Sequence, residues 1–290
     1  MSEVRCVVED TEILGESAVW SVAEQALYWV DVRAPSIHRL DPASEEHRAW
    51  NVPEQIGSIG LASDRRLIAA LRTGFFYFDT ETGALTPIHD PEPDLPHNRL
   101  NDGKMDRAGR FWCGSMSDPD RAPTGTLYRL DPDESCTATI TGITIPNALC
   151  WSPDDAVLYF ADSPERVIRA YDFDPAAGAL SNRRNFVTVL EADGVPDGAT
   201  VDAQGYLWSA HMRGWRVTRY APDGRIDRVV ELPCGNITRC AFGGENLDVL
   251  YITTARQRLT DEELTVQPLA GSLFAVETSI TGVAEPVFGS

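Results

Sequence analysis

The sequence is poor in basic residues. It has 25 lysines and arginines against 44 aspartates and glutamates, which gives a formal net charge of −19 at pH 7. A protein with this balance repels polyanions over most of its surface, so nucleic acid is not expected among its partners. The charge favours solubility and carries no information about the fold.

Long hydrophobic runs are also absent. No stretch approaches the roughly 18 apolar residues of a membrane-spanning helix, although hydrophobic residues make up 43% of the 290-residue chain. The first residues, MSEVRCVVEDTEILGE, are acidic where an export signal would need a basic start and an apolar run. The sequence therefore predicts a cytoplasmic protein with a substantial core and no membrane partner.

The cysteines form no metal-binding or redox pattern. They show no C-x-x-C pair and no zinc-type spacing, and without an export signal they are expected to be reduced thiols. The usual nucleophile motifs are missing as well, since no G-x-S-x-G, H-E-x-x-H or P-loop occurs. Attack by water, assisted by a metal ion, is the simplest chemistry that remains.

What the sequence does contain is an internal repeat. A turn followed by a strand rich in Leu, Tyr and Trp recurs six times, about forty-four residues apart, which is the size of a four-stranded propeller blade. The copies are SVAEQALYWVD (21–31), SDRRLIAAL (63–71), DRAGRFWCGS (106–115), SPDDAVLYFAD (152–162), DAQGYLWSAH (202–211) and GGENLDVLYITT (243–254). The pattern predicts an all-β fold, a single six-bladed β-propeller over residues 1–290. An N-terminal strand at 4–9 is expected to complete the last blade and remove an exposed edge. A β-solenoid or a pair of sandwiches is the alternative.

Six positions of the repeat are expected to face the central channel at one level. They lie at the start of the innermost strand of each blade, four residues before the apolar residue that precedes the turn. The residues at these positions are Glu16, Gly57, Asn101, Asn147, Asp197 and Thr238. Two residues further on, the same strand face carries small or apolar side chains. The channel is therefore predicted to be polar at this level and dry below it.

Four oxygen-bearing side chains in one ring are typical of a hard-cation site. Carboxylate and amide oxygens suit Ca²⁺, Mg²⁺ or Mn²⁺, and the ring lacks the Cys and His of a structural zinc site. The carboxylates of Glu16 and Asp197 would repel each other without a cation between them. Binding of channel water is the alternative. We expect one divalent cation, with Ca²⁺ favoured and Zn²⁺, Mn²⁺, Mg²⁺ and Fe²⁺ as the other candidates.

Two further side chains are expected near the channel mouth. Arg99 lies two residues before Asn101 on the same strand face, where its guanidinium could hold a substrate oxygen, with a rim salt bridge as the alternative. His211 ends a second strand, which returns to the same face of the ring, and it is the one group there that titrates near neutral pH. The other histidines are expected to be solvated: His38, His47, His89 and His97.

Several segments resemble the SMP-30 family of regucalcins and gluconolactonases. They are RLNDGKMDRAGRFWCGSM (99–116), PNALCWSPD (146–154), VPDGATVDAQGYLW (195–208) and LTVQPLAGSLFAVE (264–277). The resemblance runs from LGES (14–17) to the last blade, and the bacterial sugar lactonases look nearest. It implies a six-bladed propeller with one divalent cation in its channel.

The resemblance also implies roles for single residues. Glu16, Asn147 and Asp197 match the metal ligands of the family, while Arg99 and Asn101 match its substrate contacts. In related phosphotriesterase-like propellers the asparagine that matches Asn101 is itself a ligand, so both roles stay open for it.

The chain departs from the family pattern at two places. Ala148 stands where the family often has glycine, which is expected to be a minor packing change. An acidic substrate contact of the animal members falls at Pro119, and the adjacent Asp118 is expected to take its place unless the sugar is held differently.

These observations lead to a functional hypothesis. The protein is expected to be a metal-dependent hydrolase that opens a sugar lactone, an aldonolactone, to the aldonic acid. Asp197 serves either as the base or as the ligand that orients a metal-bound hydroxide, and the substrate contacts are Arg99, Asn101, Asp118 and His211. The alternatives are an organophosphate or aryl-ester hydrolase with the same cation and a non-catalytic calcium-binding propeller. A monomer or a weak homo-oligomer is expected.

Overall fold

Nearly all regular structure in the computed structural model, which describes residues 3–289, is β-strand. One short helix, α1 (Asp261–Val266), and two 3₁₀ turns, Ser163–Glu165 and Glu191–Asp193, are the other elements in this range. The strands are β1 (Arg5–Val8), β2 (Gly15–Ser21), β3 (Ala26–Asp31), β4 (Ser36–Asp41), β5 (Glu46–Asn51), β6 (Ile56–Ala62), β7 (Arg66–Leu71), β8 (Gly74–Asp79), β9 (Leu85–His89), β10 (Asn98–Met105), β11 (Phe111–Ser117), β12 (Gly125–Leu130), β13 (Cys136–Ile143), β14 (Pro146–Trp151), β15 (Val157–Asp162), β16 (Val167–Asp174), β17 (Ala179–Thr188), β18 (Val195–Val201), β19 (Leu207–Met212), β20 (Arg216–Tyr220), β21 (Ile226–Glu231), β22 (Ile237–Gly243), β23 (Val249–Thr254), β24 (Leu273–Glu277) and β25 (Val287–Phe288).

The strands form six antiparallel sheets, which are the blades of a propeller. Blades 1 to 5 are β2–β5, β6–β9, β10–β13, β14–β17 and β18–β21, each in simple up-and-down order. Blade 6 consists of β22, β23, β24 and the N-terminal strand β1, whose residue Arg5 lies opposite Ala275. The first strand of each blade lies innermost, around the channel. The prediction of an all-β, six-bladed propeller is confirmed.

The core lies between the blades. Buried apolar side chains fall into six clusters, and each cluster joins the facing sheets of two neighbouring blades. Trp29, Trp112 and Trp208 are fully buried in three of these interfaces. Because both faces of every sheet are covered, the inner strands are buried along almost their whole length. The inner strands and their side chains are therefore held rigidly at the channel.

A repeated turn holds the first and second strands of two blades in register. In blade 3, the carboxylate of Asp106 accepts hydrogen bonds from two backbone N–H groups of its own turn and from Nε1 of Trp112 at 2.8 Å. Gly109 supplies the positive φ of 70° that the turn requires. The segment 202–208 makes the same contacts in blade 5. The D-x-x-G-x-x-W pattern of the repeat thus marks a structural turn and not a catalytic one.

The C-terminal segment closes the lower end of the channel. After β24 the chain passes blade 5, where Ala203 N–H donates to the carbonyl of Thr281 at 2.9 Å. It then crosses beneath the inner strands, where Glu285 forms an ion pair with Lys104. Finally, β25 pairs with β6 in parallel. The C-terminal segment therefore lies across the lower end of the channel, opposite the end where the inner strands begin.

All six cysteines lie within the described range and none is disulfide-bonded, as expected from the sequence. No helix among residues 3–289 is long and apolar enough to cross a membrane.

Candidate active site

A cavity of about 200 Å³ lies at the upper end of the channel. Five of the predicted site residues line it together: Glu16, Arg99, Asn101, Asn147 and Asp197. They come from the inner strands of blades 1, 3, 4 and 5, and apolar side chains such as Leu14, Ile145 and Val195 fill the wall between them. The repeat register therefore placed these five side chains around one cavity.

A β-bulge in each inner strand turns these side chains toward the cavity. In blade 1 the pairing register shifts between Glu16 and Val19, and Ser17 has a positive φ of 52°. In blade 4 the bulge follows Asn147, and Ala148 has a φ of 55°. The other inner strands shift register at the same level. A left-handed backbone costs roughly 1–2 kcal/mol when a Cβ is present. Ala148 is thus more than the minor packing change expected from the sequence, because glycine would carry no such strain.

Glycines allow the inner strands to approach one another around the ring. A Cβ on Gly57 would lie 2.3 Å from the carbonyl oxygen of Leu100. A Cβ on Gly198, which follows Asp197, would lie 2.3 Å from Cδ of Arg239. Both positions therefore exclude any side chain.

The amide of Asn147 has one possible orientation. Its Nδ2 donates to Oγ of Ser163 at 2.8 Å, and that hydroxyl donates its own proton to the carbonyl of Pro196 at 2.7 Å. Because the hydroxyl has already donated its proton, it can only accept, so the amide end that faces it must be the NH₂ group. The other end of the amide, Oδ1 of Asn147, is therefore turned toward the cavity. An amide oxygen in this position is a suitable ligand for a hard cation.

The amide of Asn101 is oriented in the opposite sense. Nη1 of Arg99 donates to its Oδ1 at 2.7 Å, and its Nδ2 donates to the carbonyl of Pro146 at 3.0 Å. A guanidinium can only donate and a carbonyl can only accept, so the positions of Oδ1 and Nδ2 in the Asn101 amide are both fixed. Its Nδ2 also donates to Oδ1 of Asn147 at 3.5 Å. The amide oxygen of Asn101 is therefore held by Arg99, which disfavours a role for it as a metal ligand.

The two carboxyl groups of the ring have raised pKa values. Burial raises the pKa of Glu16 to about 7, against the opposing effects of Arg239, the Ser17 N–H group and Arg99. Burial, and after it the charge of Glu16, raises the pKa of Asp197 well above its usual range. Ionising both buried carboxyl groups is unfavourable because their negative charges repel each other. A cation bound between them would remove that repulsion.

Asn236 is a site residue that the sequence analysis missed. It is 1% exposed and lines the cavity, its Nδ2 donates to the carbonyl of Gln257 at 3.0 Å, and its buried Oδ1 has no partner within the described part of the chain. It occupies in blade 6 the register position that Arg99 occupies in blade 3, two residues before the ring. Applying that register to every blade would have identified it.

Asp118 lies behind the cavity wall. Its carboxylate accepts from Nη1 and Nη2 of Arg33 at 2.7 and 2.6 Å and from Nε of Arg99 at 3.1 Å. Burial would raise the pKa of Asp118, but the two guanidinium groups outweigh it and hold that pKa well below its usual range. The carboxylate is saturated by the arginines, so its contribution to the site is to position Arg33 and Arg99.

His211 does not line the cavity. It is 1% exposed, and its Nδ1 lies 2.8 Å from the carbonyl of Asp193, which can only accept, so Nδ1 carries the proton. Its ring stacks on Tyr220 with centroids 6.3 Å apart. Burial lowers the pKa of His211, so the ring is neutral at pH 7. The structure separates it from the other predicted site residues.

The level below the ring is not dry, contrary to the expectation. Asp102 and Arg239 form a buried ion pair across the channel, and the second oxygen of Asp102 accepts from the N–H of Leu149 at 3.1 Å. The bulges cause this difference because they break the strict alternation of strand faces on which the expectation rested.

Comparison with known proteins assigns the family. Residues 14–256 match the SMP-30/Gluconolactonase/LRE-like region. The chain belongs to this family. The resemblance inferred from the motifs is thereby confirmed.

Two relatives and one solved structure illustrate the similarity. The 6-deoxy-6-sulfogluconolactonase of Pseudomonas putida is 38% identical over 287 residues, which cover 98% of both chains. Regucalcin of Xenopus laevis is 33% identical over 99% of this chain and 98% of its own. The crystal structure of a calcium-binding protein, regucalcin, from Agrobacterium tumefaciens has a TM-score of 0.95 at 30% identity and covers 99% of this chain and 97% of its own.

The ring has the donor chemistry that a member of this family would need for a divalent cation. Glu16 and Asp197 supply carboxylate oxygens, and the hydrogen bond to Ser163 directs an amide oxygen of Asn147 toward the cavity. Three hard oxygen donors fit Ca²⁺, Mg²⁺ or Mn²⁺ better than a soft metal. A separate group of metal-type side chains lies elsewhere, at Asp10, His38 and His47.

Proposed function

We propose that this SMP-30 family lactonase opens a sugar lactone to its aldonic acid and uses one divalent cation held by Glu16, Asn147 and Asp197. The observation that carries the proposal is that two carboxylates and an amide oxygen, turned inward by its hydrogen bond to Ser163, line one cavity together with several arginines. The name of the relative with 38% identity, a 6-deoxy-6-sulfogluconolactonase, supports a sugar lactone as the substrate class. We place Ca²⁺ first among the candidate ions because all three donors are hard oxygens.

The wall of the cavity binds and orients the lactone. Arg99 donates N–H groups to the sugar hydroxyls and ring oxygen, and Asn101, whose amide oxygen accepts from Arg99, fixes the position of that guanidinium beside the sugar. Asp118 keeps Arg99 in place from behind. The apolar side chains at the same level, among them Leu14 and Ile145, pack against the carbon face of the sugar and exclude bulk water.

Asp197 is the proposed base. Its carboxylate is buried and lines the cavity, and a bound cation would lower its pKa, so that it is ionised and able to accept a proton. Water attacks the lactone carbonyl carbon while Asp197 takes the proton, and the bond from that carbon to the ring oxygen then breaks. The ring oxygen takes the proton back from Asp197, so the product is the open-chain aldonic acid. A bound divalent cation would supply Lewis-acid stabilisation of the negative charge that develops on the carbonyl oxygen.

An activity assay with controlled metal content tests this function. Protein stripped with a chelator and dialysed should hydrolyse D-glucono-1,5-lactone and related aldonolactones slowly, and Ca²⁺, Mn²⁺, Zn²⁺ or Fe²⁺ should restore the rate. A phosphotriester and an aryl acetate in the same assay test the other ester-hydrolase chemistries. Hydrolysis of the latter two alone, or lactone hydrolysis that is indifferent to chelation and readdition, would overturn the proposal.

A further inference from the structure

The mouth of the cavity is positively charged in a strongly acidic protein. Its lining includes five arginines, Arg33, Arg99, Arg121, Arg213 and Arg258, but only two carboxylates, those of Glu16 and Asp197. Over the whole chain, acidic residues outnumber lysine and arginine by 44 to 25. The local charge balance is therefore the reverse of the global one.

Most of these arginines come from one kind of loop. The connection between the second and third strands carries Arg33 in blade 1, Arg121 in blade 3, Arg213 in blade 5 and Arg258 in blade 6. The last three have positive φ angles of 52°, 61° and 63°. Left-handed backbone at residues with a side chain costs free energy and clusters at functional sites. Three strained loops thus each present an arginine to the same cavity.

The arginines at the mouth have few acidic partners. Arg33 and Arg99 share Asp118, whereas within residues 3–289 no carboxylate forms an ion pair with Arg121 or Arg258. Arg213 reaches the carboxylate of Glu263 only at 4.0 Å. Burial, and after it the charge of Arg258, lowers the pKa of Arg121, while the charge of Asp118 opposes this. An anion bound between Arg121 and Arg258 would relieve their mutual repulsion.

We propose that the substrate lactone carries an anionic substituent, a sulfonate, phosphate or carboxylate, which Arg121, Arg213 and Arg258 bind at the cavity mouth. This inference rests on the proposed lactonase function. The lactone carbonyl lies toward Glu16, Asn147 and Asp197, so the charged group sits at the far end of the sugar. Guanidinium groups match such anions because their planar forks donate two parallel hydrogen bonds.

Paired substrates test the proposal. D-Glucono-1,5-lactone is compared with its 6-deoxy-6-sulfo, 6-phospho and 6-carboxylate counterparts, so that one sugar is measured with no charge and with each kind of anion. We expect kcat/KM for at least one charged lactone to exceed that for the neutral lactone by about tenfold or more, with KM rising as salt is added. Equal kcat/KM for neutral and charged lactones would overturn the inference.

A double variant identifies the arginines responsible. Arg121→Gln with Arg258→Gln should reduce the charged-to-neutral ratio of kcat/KM about tenfold. Arg183→Gln is the matched control because Arg183 is exposed on the outer strand β17 and its loss changes the net charge in the same direction. If the double variant keeps the parental ratio, the arginines are not the anion site. If no lactone of either kind is hydrolysed, the proposed function fails instead.

A second and independent feature lies at the seam between blades 6 and 1. Nδ1 of His38 is 3.0 Å from Nε2 of His47. One ring nitrogen of each histidine and a carboxylate oxygen of Asp10 all lie within 4.8 Å of one another. Oε1 of Glu12 is 3.8 Å from Nδ1 of His38. The expectation that His38 is solvated was wrong, because it is 7% exposed and stacks on Trp29 with centroids 5.0 Å apart.

Hydrogen bonding fixes the tautomer of His38. Nε2 is 2.8 Å from Oγ of Ser36, and that hydroxyl already donates its proton to the carbonyl of Ala34 at 2.7 Å. Nε2 must therefore carry the imidazole proton, and the unprotonated Nδ1 accepts a hydrogen bond from Nε2 of His47. A metal ion would take the place of that shared proton between the two rings. In metal sites, the ring nitrogen that does not bind the metal usually donates a hydrogen bond to a neighbouring group, and this fixes the tautomer in the same way.

We propose that Asp10, His38 and His47 form a second metal site, selective for Zn²⁺-type transition ions. Two imidazole nitrogens and a carboxylate suit zinc, unlike the all-oxygen ring of the channel. His47 is exposed, which gives the ion a path in. The backbone of Asp10 is hydrogen-bonded to Oγ of Ser272 in blade 6, while both histidines belong to blade 1. The ion would therefore cross-link blades 6 and 1, which are the two blades between which the ring closes.

Metal binding to matched variants tests this site. Zn²⁺ binding is measured by calorimetry in an Asp197→Asn background, which weakens the channel site, and the melting temperature is followed in parallel. We expect one Zn²⁺ per chain and a higher melting temperature, with both effects lost in His47→Gln and Asp10→Asn. His89→Gln, at the corresponding outer strand of blade 2, should behave like its parent. Zinc binding that survives both His47→Gln and Asp10→Asn, or its absence in the parent, would exclude the site.

Discussion

Glu16 and Asp197 lie close enough in the buried ring for the charge of Glu16 to add to burial in raising the pKa of Asp197. The pair is therefore costly to ionise without a cation. That cost links the stability of the protein to pH and to metal content.

The first prediction concerns protein freed of metal. The pKa of Glu16 is raised to about 7 in the folded state, so the folded protein binds protons more tightly than the unfolded chain. The stability that this group contributes is then present at low pH and is lost as pH rises from about 4.5 through 7. Relative to Glu16→Gln, the chelated parent should lose roughly 5 °C in melting temperature between pH 5 and pH 8. Adding Ca²⁺ at pH 8 should restore it; parallel pH curves for parent and variant would contradict the linkage.

The second prediction concerns the base. Asp197→Asn keeps the shape of the side chain but removes the proton acceptor and one charged ligand, so kcat should fall by roughly 10²–10⁴. Circular dichroism should remain unchanged. Asp223→Asn, on an exposed turn, serves as the control. Near-normal turnover in Asp197→Asn would remove this residue from the mechanism.

The third prediction concerns Arg99, which is 4% exposed. Arg99→Lys can still pair with Asp118 but cannot also hold Oδ1 of Asn101, so kcat/KM should fall roughly ten- to a hundredfold. The melting temperature should fall as well, because the arginine is buried. Arg110→Lys provides the comparison, since Arg110 is equally buried against Asp106 in a structural turn. That variant should lose stability with little change in kcat/KM; equal catalytic losses in both would show that Arg99 is merely structural.

The fourth prediction concerns the floor of the channel. Phe288 is 7% exposed and packs in the cluster between blades 2 and 3. Phe288→Ala should lower the free energy of unfolding by about 3 kcal/mol, measured by urea denaturation. Leu190→Ala, at a side chain that is 67% exposed, should change it by less than about 0.5 kcal/mol. A Phe288→Ala protein as stable as the parent would mean that the C-terminal segment contributes no packing.

The repeat made most of the fold and the centre of the site predictable. A blade-sized period fixes which strand is innermost, and one register then selects Glu16, Asn101, Asn147 and Asp197 in four different blades. The family resemblance added metal-ligand and substrate-contact roles that the register alone left open. The register brings these four side chains to one cavity because equivalent positions of a repeat occupy equivalent places around an axis.

The features that escaped prediction depend on contacts between blades. Nothing in the local pattern reveals that Asp102 meets Arg239 across the channel, since the bulges that expose them are departures from strand alternation. The arginines at the mouth lie in loops, whose sequences do not follow the blade repeat, so the repeat could not predict their positions. His38 stands in an ordinary third strand, and its burial follows from its stacking against Trp29 on the neighbouring strand.

The pairing of β1 with β24 has a consequence for how the protein is made. Residues 5–8 need residues 273–275 as partners, so they have no sheet to join until nearly the whole chain has left the ribosome. Blades 1 to 5 can each form as local hairpins during synthesis, because their strands are consecutive. Strand β1 thus stays without its sheet until β24 has been synthesised. Completion of the ring, and with it of the cavity, should be a late and single event.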